Sequence, residues 1–581
     1  MVKARKSPAL LLSTFMIWAI LLCCFAPTLL KTIFTSQNLV EYIFLVLFSF
    51  IQLFFWLLAS YYLSIVLFYV LLEFFNAPYP SGESCNQNHV AVFYLTCNDF
   101  RPDAAKSCID QNYLNFHLFL LDDSTRREVK DSVDAFHANY PNKTTIIRRN
   151  TRKGFKSGAL NNALKGIAAD FPFFAVVDAD EILPIDFLRR IMGLLCDSNF
   201  AFVQANHAPT LQQKTSFAHG LCNTILPFWE IYCSVRNKYG FVTYLGHGAV
   251  IRRSAWEDIG GFPENVLTED LAFSLLTREK GWQGLFLKDL ICNEDFPKTY
   301  PAFKRQYERF IIGTTQVIYC HLVKVLKNRS ISLTEKFDIL FWCAPLYVPA
   351  LLLIYIILCS VFLALLFGKF NTTYLSIWDH QIFLPPIITL DERFNHLMSR
   401  EFQLLAIFVT FSPTLASFVL GLRGQLKALE LISLSTVPYH SLMVLSWRAL
   451  LKCALNRNHD WIPTGDKTNS INFDHIYGGH NNAFSKSSLS NFAAFFASNF
   501  WDISFGVGLT IASLLSLNIT FFAVSCCLLW GIYIEKYGWE KWQAKLGSYF
   551  SFSLIIVPIV LNISIKTDIG AGVPLSFAVH L

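Results

Sequence analysis

Two long stretches near the start of the chain carry no charged side chain at all: residues 8–30 and residues 42–72. Crossing a bilayer core takes about 20 apolar residues, so each run can span a membrane. Lys3, Arg5 and Lys6 precede the first run, as in a signal peptide. The run is longer than an ordinary signal core of about 7–15 residues, shows no A-x-A cleavage pattern and is followed by a second run. It therefore reads as a transmembrane helix with its N-terminus inside. The loop between the two runs holds only Lys31, which agrees with cations lying inside. Two crossings return the chain to the cytoplasm.

Charged residues then concentrate across 76–336, and apolar runs resume after it. Residues 339–367 and 402–420 read as spans, with the loop 371–400 outside. Residues 431–446 contain Thr436, Pro438, Tyr439 and His440 and are followed by Arg448, Lys452, Arg457 and Lys467. A span there would put those cations outside, so an interfacial or re-entrant helix is expected. Residues 492–515 and 519–534 read as a hairpin of spans, and 549–565 as a last one. The expected plan is a membrane region over 1–75, a cytoplasmic domain over 76–330 and a second membrane region over 331–581, with about seven spans of an integral, multi-pass protein. Residues 332–341 mix charge with apolar residues before a span, as an interfacial coupling helix would.

A net charge of +6 on 581 residues, without a basic block interleaved with aromatics, argues against nucleic acid as a partner. The 15 cysteines are scattered, with no CxxC pair and no Cys/His metal spacing, and read as small buried apolar side chains in a reducing compartment.

The central region alternates. Apolar runs at 89–96, 116–121 and 173–177 each stop at a polar cluster: Cys97-Asn98-Asp99, Asp122-Asp123-Ser124 and Asp178-Ala179-Asp180. Helical patterns at 102–113, 125–138 and 156–169 lie between and after them. Strand–helix alternation implies a mostly parallel, doubly covered sheet. Ligands bind such sheets at the carboxyl ends of the strands, where the acidic pairs stand.

Asp178 and Asp180, two residues apart at a strand end, can face the same way. Close carboxylates repel unless a cation or shared proton relieves them, and a hard divalent ion bound to phosphate does so. Lys153, Gly154 and Lys156 precede a helix whose free N–H groups suit a diphosphate. Thr268-Glu269-Asp270 opens an amphipathic helix, with Thr268 as its expected N-cap. Gln306 and Arg309 share one helix face. Each motif alone is ordinary in loops or helix ends; their joint order is not.

Taken together, residues 90–316 resemble the catalytic domain of processive, inverting family-two glycosyltransferases such as cellulose, chitin and hyaluronan synthases. The likeness is closest from Gly246-His247-Gly248 through Ile259-Gly260-Gly261-Phe262 to Thr268-Glu269-Asp270. It implies a GT-A-type, Rossmann-like domain, its sheet mixed but mostly parallel, inserted between transmembrane α-helices. It implies nucleotide-sugar contacts from Asp122, Asp123, Lys156, Asp178, Gln306 and Arg309, a Mg²⁺ or Mn²⁺ ion on Asp180, and Asp270 as catalytic base. Gly246, His247, Gly248, Glu269 and Phe310 fall where the family holds its acceptor. Phe310 departs from the family's Gln-x-x-Arg-Trp: it keeps an apolar face for a sugar ring but lacks the indole N–H.

The activity implied is inverting transfer from a nucleotide sugar, with UDP expected, to a growing β-linked glycan that is extruded across a plasma membrane or bacterial inner membrane. Ceramide glucosyltransferases share the acidic motifs, so a single addition to a lipid acceptor is the rival reading; a transporter or scaffold with an inert domain is another. The segment Trp461-Ile462-Pro463-Thr464-Gly465-Asp466-Lys467 loosely resembles a Thr/Lys gating loop of cellulose synthase, with one residue more between Thr and Lys; a plain loop is the simpler reading.

Overall fold

The computed structural model describes residues 6–75, 88–196, 199–210, 215–362, 366–377, 380–390, 392–422, 424, 427–455, 495–516 and 519–560. The segment 461–467, considered above as a gating loop, lies outside the described residues.

A seven-stranded sheet forms the centre of the chain: β1 (Val90–Thr96), β2 (Phe116–Asp122), β3 (Thr144–Ile147), β4 (Phe173–Asp178), β5 (Phe200–Pro209), β6 (Ala249–Arg252) and β7 (Gln283–Glu294). Its spatial order is β3-β2-β1-β4-β6-β5-β7. Every pairing is parallel except the two made by β6, which runs against β4 and β5. This is the mixed, mostly parallel sheet that the sequence implied. The three strands read from apolar runs are β1, β2 and β4; the other four carry weaker signals. β3 is only four residues long, and β5 interleaves Gln204, Asn206 and His207 with its apolar residues.

Alternation along β1 explains the two cores. Val90, Val92 and Tyr94 face the helices Pro102–Ile109 and Phe187–Leu195, with Ala104, Cys108, Leu188 and Ile191 fully buried against them. Ala91 and Phe93 face the other way, onto Leu160, Phe262 and Phe273. Fully burying one such side chain stabilises by about 1.5–3 kcal/mol, so both faces resist a register slip. Register also sets the site: Thr96 pairs with Asp122, and Leu95 with Asp178. The acidic strand ends therefore finish level, at one edge.

Two described helices are long and apolar enough to cross a membrane: Ala9–Phe34, with 26 residues, and Leu39–Phe74, with 36. The later apolar runs are more broken than the sequence suggested. The run read at 339–367 is a pair of helices, Leu333–Leu346 and Val348–Ile357, bent by 62°. Pro345 and Pro349 sit at the break, where each removes a helical donor. Arg400–Phe411 and Leu415–Leu422 are separated at Ser412-Pro413-Thr414 for the same reason. The stretch expected to be interfacial or re-entrant is two helices, Ala428–His440 and Leu442–Ala454. The stretch expected as an outer loop, 371–400, overlaps β8 (Gly368–Ile377) and contains β9 (His380–Leu390), an antiparallel pair. The final runs form helices Phe500–Ser516, Ile519–Tyr537 and Trp542–Val560.

Candidate functional site

One cavity of about 1700 Å³ lies against the carboxyl ends of the strands and continues among the apolar helices. Asp123, Lys156, Asp178, Asp180, Gly246, His247, Glu269, Asp270, Gln306, Arg309 and Phe310 all line it. Asp122 and Gly248 do not. Asp122 is fully buried, accepting from Arg148 Nε at 2.7 Å and from the Ser124 N–H at 3.0 Å. That binding shapes the loop rather than facing a ligand. Asp123 is held by Arg149, whose Nε donates to Oδ1 at 3.1 Å.

Lys156 reaches the site because Gly154 and Phe155 both adopt left-handed backbone, with φ of 72° and 47°. That turn starts the helix Phe155–Lys165 under the strand ends. Lys156 Nζ donates to Asp178 Oδ1 at 2.5 Å. Burial pushes the Asp178 carboxyl up, but Lys156 and His247 outweigh it and hold it below the usual range. Asp180 differs: burial and repulsion from Asp178 push it up to about 7. Among the described residues no Lys or Arg forms an ion pair with it, and His247 offsets only part of the rise. A carboxylate facing a cavity with that much uncompensated charge has the chemistry to hold a divalent ion.

Thr268 stands at the N-cap of the helix Glu269–Glu279, as expected, but its side chain makes no cap bond. Its hydroxyl is buried without a partner. Packing overrides capping here: Gly313 of the helix Tyr300–Val317 approaches so closely that a Cβ would lie 2.6 Å from Thr268 Cγ2 and 2.9 Å from its backbone nitrogen. Gln316 Oε1 accepts the Leu267 N–H at 3.0 Å and fixes the same junction. The helix that presents Gln306, Arg309 and Phe310 is thereby seated on the acidic pair. Glu269 is pushed up to about 7 by burial and by Asp270. Asp270 is raised by burial, against the pull of the Leu271 N–H, Lys156 and Arg309. A raised carboxyl beside a cavity suits a base that must hold and release a proton.

Three polar residues that the sequence reading missed, Glu181, His207 and Glu294, stand just beneath, around His247. Glu181 follows Asp180, fully buried, and its Oε2 accepts from the N–H groups of Gly248 at 3.1 Å and Asp178 at 3.3 Å. His247 lies between Glu181 and Glu294, 3.3 Å and 3.2 Å away, and His207 is 3.6 Å from Glu294. Burial lowers the His247 imidazole, yet Glu181, Asp178 and Glu294 together raise it to about 10. Glu294 and Asp295 end β7 as the other acidic pairs end their strands, which is the signal that could have exposed them. His207, in mid-strand, offers no such signal.

A model of glycosyl transferase family group 2 matches residues 173–390. Glucomannan 4-beta-mannosyltransferase 1 of Oryza sativa subsp. japonica is 28% identical over 231 residues, covering 38% of this chain and 44% of that protein. Glucomannan 4-beta-mannosyltransferase 9 of Arabidopsis thaliana is 25% identical over 228 residues, covering 38% and 43%. The chain thus spans less than half the length of these relatives. Among solved structures, a mannosyltransferase from Pyrobaculum calidifontis in complex with GDP-Man and Mn²⁺ aligns at 15% identity and a TM-score of 0.41, over 69% of this chain and 98% of that one.

Proposed function

We propose that this chain, whose residues 173–390 belong to glycosyl transferase family group 2, is a membrane-embedded inverting transferase that extends a β-linked glycan from a nucleotide sugar. The observation that carries the reading is convergence: Lys156, Asp178, Asp180, Asp270 and Arg309 come from four separate stretches of chain and line one cavity. That cavity runs on past Tyr61, Tyr62, Tyr232 and Tyr307 toward the apolar helices, offering aromatic faces for sugar rings along an exit path.

Lys156 and Arg309 stabilise the charge that develops on the diphosphate as it leaves the anomeric carbon. A Mg²⁺ or Mn²⁺ ion on Asp180 would add neutralising charge at the same place. Asp270 accepts the proton of the acceptor hydroxyl as that oxygen attacks. Attack opposite the leaving group inverts the anomeric centre, so an α-linked donor gives a β-linkage. The relatives named for 4-β-mannosyl transfer make a hexose the expected sugar, and the base of the donor nucleotide is the first thing to determine.

The domain is assigned to the cytoplasmic face, reached after the two N-terminal spans, in a multi-pass protein of the plasma membrane or a bacterial inner membrane. The test is to supply purified membranes with a panel of UDP- and GDP-sugars plus Mn²⁺ or Mg²⁺, then to size the product. A long β-linked glycan is the expected result. One sugar on a lipid would replace the polymer reading with the lipid-acceptor reading, and absence of turnover with every donor would leave the domain a scaffold.

A further inference from the structure

Glu181, His207 and His247 place one ligand atom each within 4.8 Å of one another. We propose that these three side chains, supported by Glu294, form a second cation site beneath the donor site, selective for a first-row transition ion such as Zn²⁺ or Mn²⁺. It is separate from the phosphate-binding ion expected on Asp180.

Three observations carry this. First, Glu181 Oε1, His207 Nδ1 and His247 Nδ1 are all buried without a hydrogen-bond partner. Glu181 and His207 side chains are completely buried. Buried polar atoms are normally paired; Glu181 Oε1 and His207 Nδ1 lack a partner, His247 Nδ1 has only the 3.3 Å ion-pair contact with Glu181 Oε2, and one cation would satisfy all three together. Second, the outer contacts suit a metal-bound His247. With Nδ1 on the ion, its Nε2–H faces Glu294 Oε2 at 3.2 Å. A carboxylate behind a ligating histidine fixes its tautomer and raises its basicity. Third, the backbone is shaped around the cluster: Gly248 has φ of 63°, and a Cβ there would lie 2.5 Å from Glu181 Oε1 and 2.8 Å from His207 Cε1.

Two imidazoles and a carboxylate favour Zn²⁺, Co²⁺ or Mn²⁺ over Mg²⁺ or Ca²⁺. Ligand atoms on a tetrahedral zinc stand about 3.3 Å apart, so the present separations close with small side-chain movements. His207 Nε2 lies 3.1 Å from Gln204 Nε2, whose two hydrogens also have the carbonyl oxygens of Ala205, His247 and Gly248 within reach. The ion would staple the ends of β4 and β5 to the loop entering β6, the frame on which Asp178 and Asp180 stand.

The test uses the full chain in detergent or nanodiscs, washed with excess Mg²⁺, with bound metal measured by mass spectrometry. About one equivalent of a transition ion is expected in the wild type and in Asp180→Asn, and less than a tenth of that in His207→Gln and Glu181→Gln. Should those variants fail to fold, pulsed electron paramagnetic resonance of wild type loaded with Mn²⁺ alone gives the second readout, with directly bound nitrogen expected. No retained metal after incubation with Zn²⁺ or Mn²⁺, an ion lost in Asp180→Asn but kept in His207→Gln, or Mn²⁺ showing only oxygen ligands would each overturn the proposal. These readouts need no turnover, so they fail or succeed independently of the glycosyltransferase reading.

Discussion

Gly313→Ala is the substitution whose consequence can be worked most directly from geometry. The added methyl would meet Thr268 Cγ2 at 2.6 Å and Thr268 N at 2.9 Å. Carbon contacts are comfortable near 3.5–4.0 Å, so a gap of roughly 1 Å must open. Rotating the Thr268 side chain does not open it, because the backbone nitrogen is also in the way. Overpacking costs about 1–3 kcal/mol, and replacing a mid-helix glycine by alanine returns about 1 kcal/mol. The net loss of stability is then about 0–2 kcal/mol, and the fold survives. The active geometry does not: Arg309 lies one turn before Gly313, and Asp270 two residues after Thr268. A 1 Å misplacement of reacting groups costs roughly 100-fold in rate, or about 2.7 kcal/mol of barrier. The expected outcome is sugar transfer reduced about 10- to 100-fold, with nucleotide affinity falling much less, since Lys156 and Asp178 stay in place and only Arg309 shifts. Gly220→Ala is the control: nothing lies within 4 Å of a Cβ there, and the gain expected in its helix is about 0.5–1 kcal/mol with normal transfer. Wild-type turnover in Gly313→Ala would refute the idea that this contact sets the site.

Asp270→Asn should bind nucleotide, measured by calorimetry, yet transfer at least about 100-fold more slowly, the lower range for loss of a general base; near-normal turnover would remove Asp270 from the mechanism. Lys156→Gln should weaken nucleotide diphosphate binding and also release Asp178 from its ion pair, so its carboxyl should titrate higher; an unchanged dissociation constant would contradict the assigned role. The acid limb of the transfer rate should lie well above the ordinary carboxylate range, because burial raises Asp270 and brings Glu269 to about 7. The sign follows: below that limb the native pair holds protons and the base is blocked, so transfer rises with pH, while the pair's contribution to stability, present below about 4.5, falls as pH approaches 7. A rate already flat from pH 5 upward would count against it. Phe310→Trp, which restores the indole of the related family, should lengthen the product on a sizing column; an unchanged distribution would separate Phe310 from acceptor grip.

Much of this was legible because strand ends punctuate sequence sharply. Asp122, Asp178 and the apolar runs before them announced β1, β2 and β4, and the shared register made their acidic ends neighbours. What escaped is what depends on the third dimension. Asp122 looked equivalent to Asp123, but Arg148, 26 residues away, turned it inward. Thr268 looked like a helix cap, but a glycine 45 residues later pressed against it. Glu181 and His207 carry no periodic signal, since burying a carboxylate and an imidazole depends on partners brought in from β6 and β7. The apolar runs beyond residue 336 were read by length, and prolines break two of them, at 345–349 and at 413.

Those breaks belong with the site. The helix Tyr300–Val317 is the element that reads both worlds. One side carries Gln306, Arg309 and Phe310 to the cavity and Gly313 to Thr268. Elsewhere Lys304 pairs with Glu535 at 2.7 Å, Lys452 pairs with Glu308, and the Tyr300 hydroxyl bonds Ser441. Its anchors are therefore polar and mostly buried, on helices that are otherwise apolar. An ion pair in such surroundings adds little net stability over an apolar contact, but losing one partner is costly. What it does supply is a fixed angle and register. A helix held that way at its outer face and wedged against the acidic pair at its inner face links the position of the apolar helices to the geometry of Asp270. Gln306, Arg309 and Phe310 line the same cavity as Asp270, so the side chains on this helix and the proposed base share one rigid support.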